Sequence, residues 1–192
     1  MIRILALALA SAAAIFAQSA EFSFHGGVSR LNNSSIGSDG AGGSNYSLAE
    51  GFRFGFRTTV NNWRYAGNEF GYAYNRSKLE LGGVSQGGMA IHQGFYNFLV
   101  YPTPDGATVR PFAAGGIHFN NYTPPGTSVT SGGGSTKFGF NYGGGVKVRL
   151  GEKYQVRFDT RYYQNGKPFS FLQGRSGLIG QLEVSVGFGL VI

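Results

Sequence analysis

Residues 136–163 read TKFGFNYGGGVKVRLGEKYQVRFDTRYY, and a two-residue alternation runs through nearly all of them. From Lys137 to Leu150 the even positions are apolar or glycine (Phe138, Phe140, Tyr142, Val146, Val148, Leu150), whereas the odd ones are polar or glycine. After a tight connection at Gly151-Glu152 the pattern resumes. Tyr154, Val156, Phe158, Thr160 and Tyr162 fall on one face, and Lys153, Gln155, Arg157, Asp159 and Arg161 on the other. Period-two alternation describes a strand with two unlike faces. Each arm is long for a soluble hairpin: a tilted strand needs roughly 9 to 11 residues to cross a bilayer, while soluble strands cluster near 5 to 6.

The same pattern recurs on both sides of this hairpin. Phe22, Phe24, Gly26 and Val28 alternate with Ser23, His25, Gly27 and Ser29; a polar loop, Leu31 to Tyr46, follows with no apolar face to bury. The second strand sets Phe52, Phe54 and Phe56 against Arg53 and Arg57, and a short turn is expected at Asn61-Asn62, with Trp63 and Tyr65 just beyond as interfacial aromatics. Phe70, Tyr72 and Tyr74 mark a third strand that gives way to a second polar loop, Arg76 to Gly88. A fourth, Met89 to Tyr101, places Tyr96, Phe98 and Val100 outward, and Pro102 to Gly106 is a turn. The fifth alternates Ala113, Gly115, Ile117 and Phe119 with Phe112, Ala114, His118 and Asn120. Tyr122 to Ser135 and Gln164 to Gly177 are further long loops, the second leading to a last strand that ends at Ile192. Connections therefore go long, short, long, short, long, short, long. That asymmetry predicts an all-β, eight-stranded antiparallel up-and-down transmembrane barrel with short periplasmic turns and longer outer loops.

A soluble barrel around a ligand cavity would show the same period with reversed polarity. Charge placement decides between them. On the face opposite the aromatics stand Arg53, Arg57, Arg110, Lys137, Lys147, Arg149, Lys153, Arg157 and Arg161 with Glu69, Asp159 and Glu183, while the aromatic face is nearly free of charge. A midplane Arg or Lys facing lipid costs about 2 to 4 kcal/mol, so the apolar face belongs in the bilayer.

Composition agrees. The chain has 192 residues, 33 Gly, 15% aromatic and 13% charged residues, a profile of strands and turns. Met1-Ile2-Arg3, the Ala/Leu-rich run Ile4 to Phe16 and the small residues of Ala17-Gln18-Ser19-Ala20 have the pattern of a secretory signal peptide, cut between Ala17 and Glu21. Residues 1–20 are thus expected as leader and 21–192 as the barrel domain. Without Arg3, one of 16 basic residues, 9 acidic ones remain against the rest and the charge is +6. For an exported basic chain the counterpart is phosphorylated glycolipid rather than nucleic acid. Cys is absent, so neither disulfides nor thiol chemistry enter.

Arg110-Pro111-Phe112, Tyr142-Gly143-Gly144-Gly145-Val146, Arg157-Phe158-Asp159 with Arg161-Tyr162, and a terminal strand carrying Ser185, Gly187, Leu190 and Ile192 resemble small outer-membrane barrels of the OmpA/OmpX type, within the broader outer-membrane β-barrel domain family. The resemblance implies insertion by the barrel-assembly machinery, which reads Ser185, Gly187, Leu190 and Ile192, although members commonly end on an aromatic residue. No cell-wall-binding domain is expected after Ile192.

Within the barrel, Arg53, Arg57, Glu69, Lys147, Arg157, Asp159, Arg161 and Glu183 are expected to form an ion-pair network, with Asp159 between Arg157 and Arg161. The cationic surplus either reaches water at the mouths or lines a narrow anion-favouring channel. Arg30, Arg76, Lys78, Lys167 and Arg175 ring the outward side, as a solvated rim or as partners for lipopolysaccharide phosphates. Some eight-stranded barrels modify lipid A, a role that would draw on His25, His92 or His118; no Ser-His-acid set assembles, since His25 lies at the periplasmic end and His92 and His118 fall on opposite faces. Phe169-Ser170-Phe171-Leu172 is an apolar knuckle in the last loop. The reading is a monomer without catalytic residue, metal or cofactor, structural or surface-interacting in role.

Overall fold

The computed structural model describes residues 19–31, 36–38, 44–127, 134–169 and 178–192. Its elements are β1 (Ser19–Leu31), β2 (Gly37–Ser38), β3 (Asn45–Leu48), β4 (Gly51–Trp63), β5 (Ala66–Leu81), β6 (Val84–Val100), β7 (Val109–Thr123), β8 (Ser135–Leu150), β9 (Tyr154–Gly166) and β10 (Leu178–Val191). The eight long strands pair antiparallel in the order β1-β4-β5-β6-β7-β8-β9-β10, and β1 pairs with β10, so the sheet closes on itself. β2 and β3 are short additions hung on the outer half of β5.

Sidedness follows the alternation strand by strand. Phe24, Phe54, Ile117, Phe138 and Phe158 stand exposed on the outer surface, while Arg53, His118 and Asp159 beside them in sequence are buried, Arg53 to 2%. On β6 the outward set is Tyr96, Phe98 and Val100, with Gln93, Phe95, Asn97 and Leu99 inside. In so narrow a cylinder some inward positions admit no side chain: a Cβ at Gly145 would lie 2.0 Å from the Phe158 carbonyl oxygen and 2.8 Å from the Phe112 ring.

Three expectations need correction. The turn after β4 falls at Arg64-Tyr65, not Asn61-Asn62: Asn61 is fully buried and donates to Ser19 and Glu21 (2.9 Å each), and an irregularity between Val60 and Trp63 absorbs the shift. Arg76 to Gly88 is no open loop. β5 and β6 stay paired out to Leu81 and Val84, joined by Gly82-Gly83 with φ of +57° and +85°, the two left-handed residues of a type I′ hairpin turn. Alternation is hard to read there because the outward face, above the bilayer, carries Arg76 and Lys78 in place of aromatic residues, while Ser77 and Leu79 turn inward, Leu79 against the apolar cluster. Finally, Leu31 to Tyr46 does bury apolar surface: Ile36 is wholly buried in a cluster with Leu48, Met89, Ile91, Tyr122, Phe169 and Ile179. That cluster sits at the outer end of the barrel.

Candidate functional site: the filled lumen

The lumen is packed in three tiers. At the periplasmic end, Lys147 Nζ donates to Glu21 Oε2 at 2.5 Å and to the Tyr101 hydroxyl at 2.9 Å. Gln155 adds a bond to the same carboxylate oxygen at 2.8 Å. Arg110 pairs with Asp105 at 2.9 Å while its guanidinium lies 3.5 Å from the centroid of the Tyr101 ring.

The middle tier is a waist of five charges. Arg157, Asp159 and Arg161 share one face of β9 because they are two residues apart. Asp159 accepts from Arg157 Nε (2.7 Å) and Nη2 (2.9 Å), from Arg161 Nη2 (3.2 Å), and pairs with Arg57 Nη1 at 3.0 Å. Glu69 pairs with Arg157 and with Arg161 (3.2 Å), and also accepts from Thr59 (3.3 Å) and Asn97 (3.2 Å). Around the barrel β5 and β9 lie diametrically opposite, so the Glu69 contacts are struts across the full diameter. The Phe112 ring lies 4.4 Å from the Arg157 guanidinium.

Cross-strand geometry explains how the two lower tiers separate. Lys147 and Arg157 are direct neighbours on β8 and β9, an arrangement that repels. Each leans away, Lys147 toward Glu21 and Arg157 toward Asp159 and Glu69. The burial cost of so many charges is offset only because each side chain has an opposite charge and further hydrogen bonds.

The third tier lies outward of the waist. Arg53 pairs with Glu183 at 2.9 Å and donates to Gln93 Oε1 at 2.5 Å; Gln93 donates to Asn120 at 2.8 Å, and Asn165 to the Tyr122 hydroxyl at 2.6 Å. Glu183 thus serves Arg53, although Arg161 is its cross-strand neighbour. Above this network sits the apolar cap formed by Ile36, Met89, Ile91, Tyr122 and Ile179 with their neighbours.

Arg53, Arg57, Glu69, Lys147, Arg157, Asp159, Arg161 and Glu183 are therefore brought together in one lumen, divided among tiers. Lys137 and Arg149 are half-buried toward the mouths, and Lys153 is exposed in the turn after β8. Glu21 escaped the sequence reading because it adjoins the expected cleavage region; extending the Ser23, His25 alternation two residues back places it inside. Asp105 carried no strand signal at all.

On the outer side, Arg30 pairs with Glu50 at 3.3 Å, both well exposed. Arg76 and Lys78 follow one another on the outward face of β5, Lys167 is half-buried after β9, and Arg175 lies outside the described residues. So does most of the Phe169 to Leu172 knuckle, whose Phe169 joins the cap. Ser185 and Gly187 face the lumen; Leu190 and Ile192 are exposed. His92 faces outward with its Nδ1 2.5 Å from the Tyr72 hydroxyl, whereas His118 faces inward, edge-on to Tyr163 at 5.0 Å. His25 is buried and accepts from Arg57 Nε at 3.2 Å. Among the described residues no group of three or more metal-ligating side chains forms.

An ionic interior inside an apolar skin defines an integral barrel of the bacterial outer membrane. The chain belongs to the outer membrane protein beta-barrel domain family, whose model matches residues 4–190. Its fold is similar to the N-terminal β-barrel domain of Pseudomonas aeruginosa OprF (13% identity, TM-score 0.58, covering 92% of this chain and 98% of that one). It is similar also to Neisserial surface protein A (15%, 0.56, 90% and 94%) and to the outer membrane protein OprG from Pseudomonas aeruginosa (15%, 0.56, 90% and 95%). At such identities the likeness is one of fold. No curated protein matches the chain.

Proposed function

We propose that this chain is a closed outer-membrane scaffold of the small OmpA/OmpX type, serving envelope integrity and adhesion or interaction through its outer loops. The observation that carries the reading is the strut of Glu69 to Arg157 and Arg161, joining opposite walls of the lumen, with Asp159 and Arg57 filling the space between. The apolar cap closes the outer end a second time. Residues 1–20 act as leader and 21–192 as the barrel; β1 itself starts at Ser19, whose hydroxyl donates to Asp105 at 2.7 Å. The barrel works as a monomer surrounded by lipid and lipopolysaccharide, and the assembly machinery recognises its last strand.

A second reading, a narrow anion-favouring channel, draws on one sector of the lumen. Both His118 ring nitrogens, the Asn141 amide and Arg161 Nη1 are buried without a hydrogen-bond partner among the described residues. Water there would satisfy them. A strain lacking the protein separates the two readings. The scaffold reading expects greater sensitivity to detergents with unchanged uptake of small anions; loss of anion uptake in cells with an intact envelope would overturn it in favour of the channel.

A further inference from the structure

The outward face around the β5–β6 hairpin changes chemistry from one cross-strand row to the next. Phe70, Tyr96 and Ile117 stand in one row; Tyr72, Gly94, Phe119 and Phe138 in the next; Tyr74, His92, Asn121 and Thr136 in a third. Arg76 and then Lys78 continue the same face of β5 toward the outer end. Moving outward, the surface is apolar, then polar, then cationic.

Each zone has a shaped cavity or a fixed polar pair. The first two rows enclose a groove of about 470 Å³ walled by aromatic and aliphatic side chains. A Cβ at Gly94 would lie 2.4 Å from the Phe119 ring, so glycine is what lets that ring lie along the strand. The Tyr72–His92 contact at 2.5 Å joins the second row to the third, which also holds the bond from Asn121 to Thr136 at 2.9 Å. Above it a second cavity, about 460 Å³, is bordered by Arg76, Lys78, Glu50 and Gly88. Arg76 lies over Gly88, where a Cβ would be 2.8 Å from its Nη2. Glu50 pairs with Arg30, whereas Arg76 and Lys78 form no salt bridge among the described residues. At about 3.3 Å per strand residue, Arg76 stands about 13 Å farther along β5 than Tyr72, toward its outer end.

We infer that this seam is a binding site for one phosphorylated, acylated glycolipid of the outer leaflet. An acyl chain fills the groove over Gly94, the polar row meets the ester and amide region, and Arg76 with Lys78 holds a phosphate. Any barrel wall touches acyl chains; what singles out this seam is a cationic cavity in line with an apolar groove on the outer side. The inference rests on the outer-membrane scaffold reading and adds a ligand to it.

Native mass spectrometry of the detergent-solubilised protein tests it, with diphosphorylated lipid A, its dephosphorylated form and phosphatidylglycerol as probes. One lipid A is expected to be retained, with the other two held at least about tenfold more weakly. Arg76→Gln with Lys78→Gln is expected to lower lipid A retention about tenfold, and Gly94→Leu to do so with both cations in place. Lys153→Gln, on the periplasmic turn, leaves it unchanged. Should Gly94→Leu fail to fold, as judged by heat-modifiable electrophoretic mobility, Ile117→Trp fills the groove from another wall. Equal retention by wild type and the seam variants overturns the site, and so does equal retention of the dephosphorylated lipid or of phosphatidylglycerol. A barrel that folds normally and stays electrically silent while showing no lipid preference loses this inference but keeps its role as a scaffold.

Discussion

The waist and the cap close the same lumen by opposite chemistry. At the waist, three arginines share two carboxylates through bonds of fixed direction, and each group is almost wholly buried. In the cap, Ile36, Leu48, Met89, Ile91, Phe169 and Ile179 touch without directional demands. An apolar cluster yields when an atom is removed, because its neighbours relax into part of the space. A buried ionic lattice cannot, since removing one member strands its partners as unpaired charges in a low-dielectric interior. The waist should therefore be the brittle barrier and the cap the forgiving one.

Substitutions put that contrast to the test, and the largest effect is expected at Asp159. Asp159→Asn removes the carboxylate shared by Arg57, Arg157 and Arg161 and should cost about 3–5 kcal/mol, read as a lower midpoint of thermal unfolding in detergent. Glu69→Gln should cost less than Asp159→Asn, as two arginines rather than three lose their acceptor. A double-mutant cycle of Glu69→Gln with Arg161→Met should then show a coupling energy, about 0.5–3 kcal/mol, that independent sites lack. In the cap, Ile91→Ala is expected to cost about 2–3 kcal/mol, at the low end for an aliphatic core residue because the cluster can settle around the loss. Equal costs for Ile91→Ala and Asp159→Asn would erase the distinction between the two barriers. The smallest effect belongs to Arg30→Gln: its pair with Glu50 is largely exposed, so the change should stay below about 1 kcal/mol and vanish in high salt.

The same contrast explains what could be read from the chain beforehand. Inside the bilayer each residue faces either lipid or lumen, so Phe52, Phe54 and Phe56 against Arg53 and Arg57 announce both the strand and its sidedness. The inward charges were legible for that reason, down to the Arg157-Asp159-Arg161 triplet. Which carboxylate each cation uses was not, because partners such as Glu69 and Arg157 sit on opposite walls, far apart in sequence. Outside the bilayer the constraint lapses. Arg76 to Leu81 forms a strand whose outward face meets water instead of lipid, so it carries charges there and reads as a loop. Ile36 is a single apolar residue in a polar stretch, and its partners Ile91, Tyr122 and Ile179 come from three other strands, so no local pattern marks the cap. Glu21 shows a third limit: it borders the stretch whose composition suggests a cleavage region, and that reading hid a lumen carboxylate that pairs with Lys147.

If both barriers hold, the lumen offers ions no continuous path. Recording the purified protein in a planar lipid bilayer examines this directly: the account expects a silent membrane, whereas discrete anion-favouring current steps from the wild-type protein would contradict it.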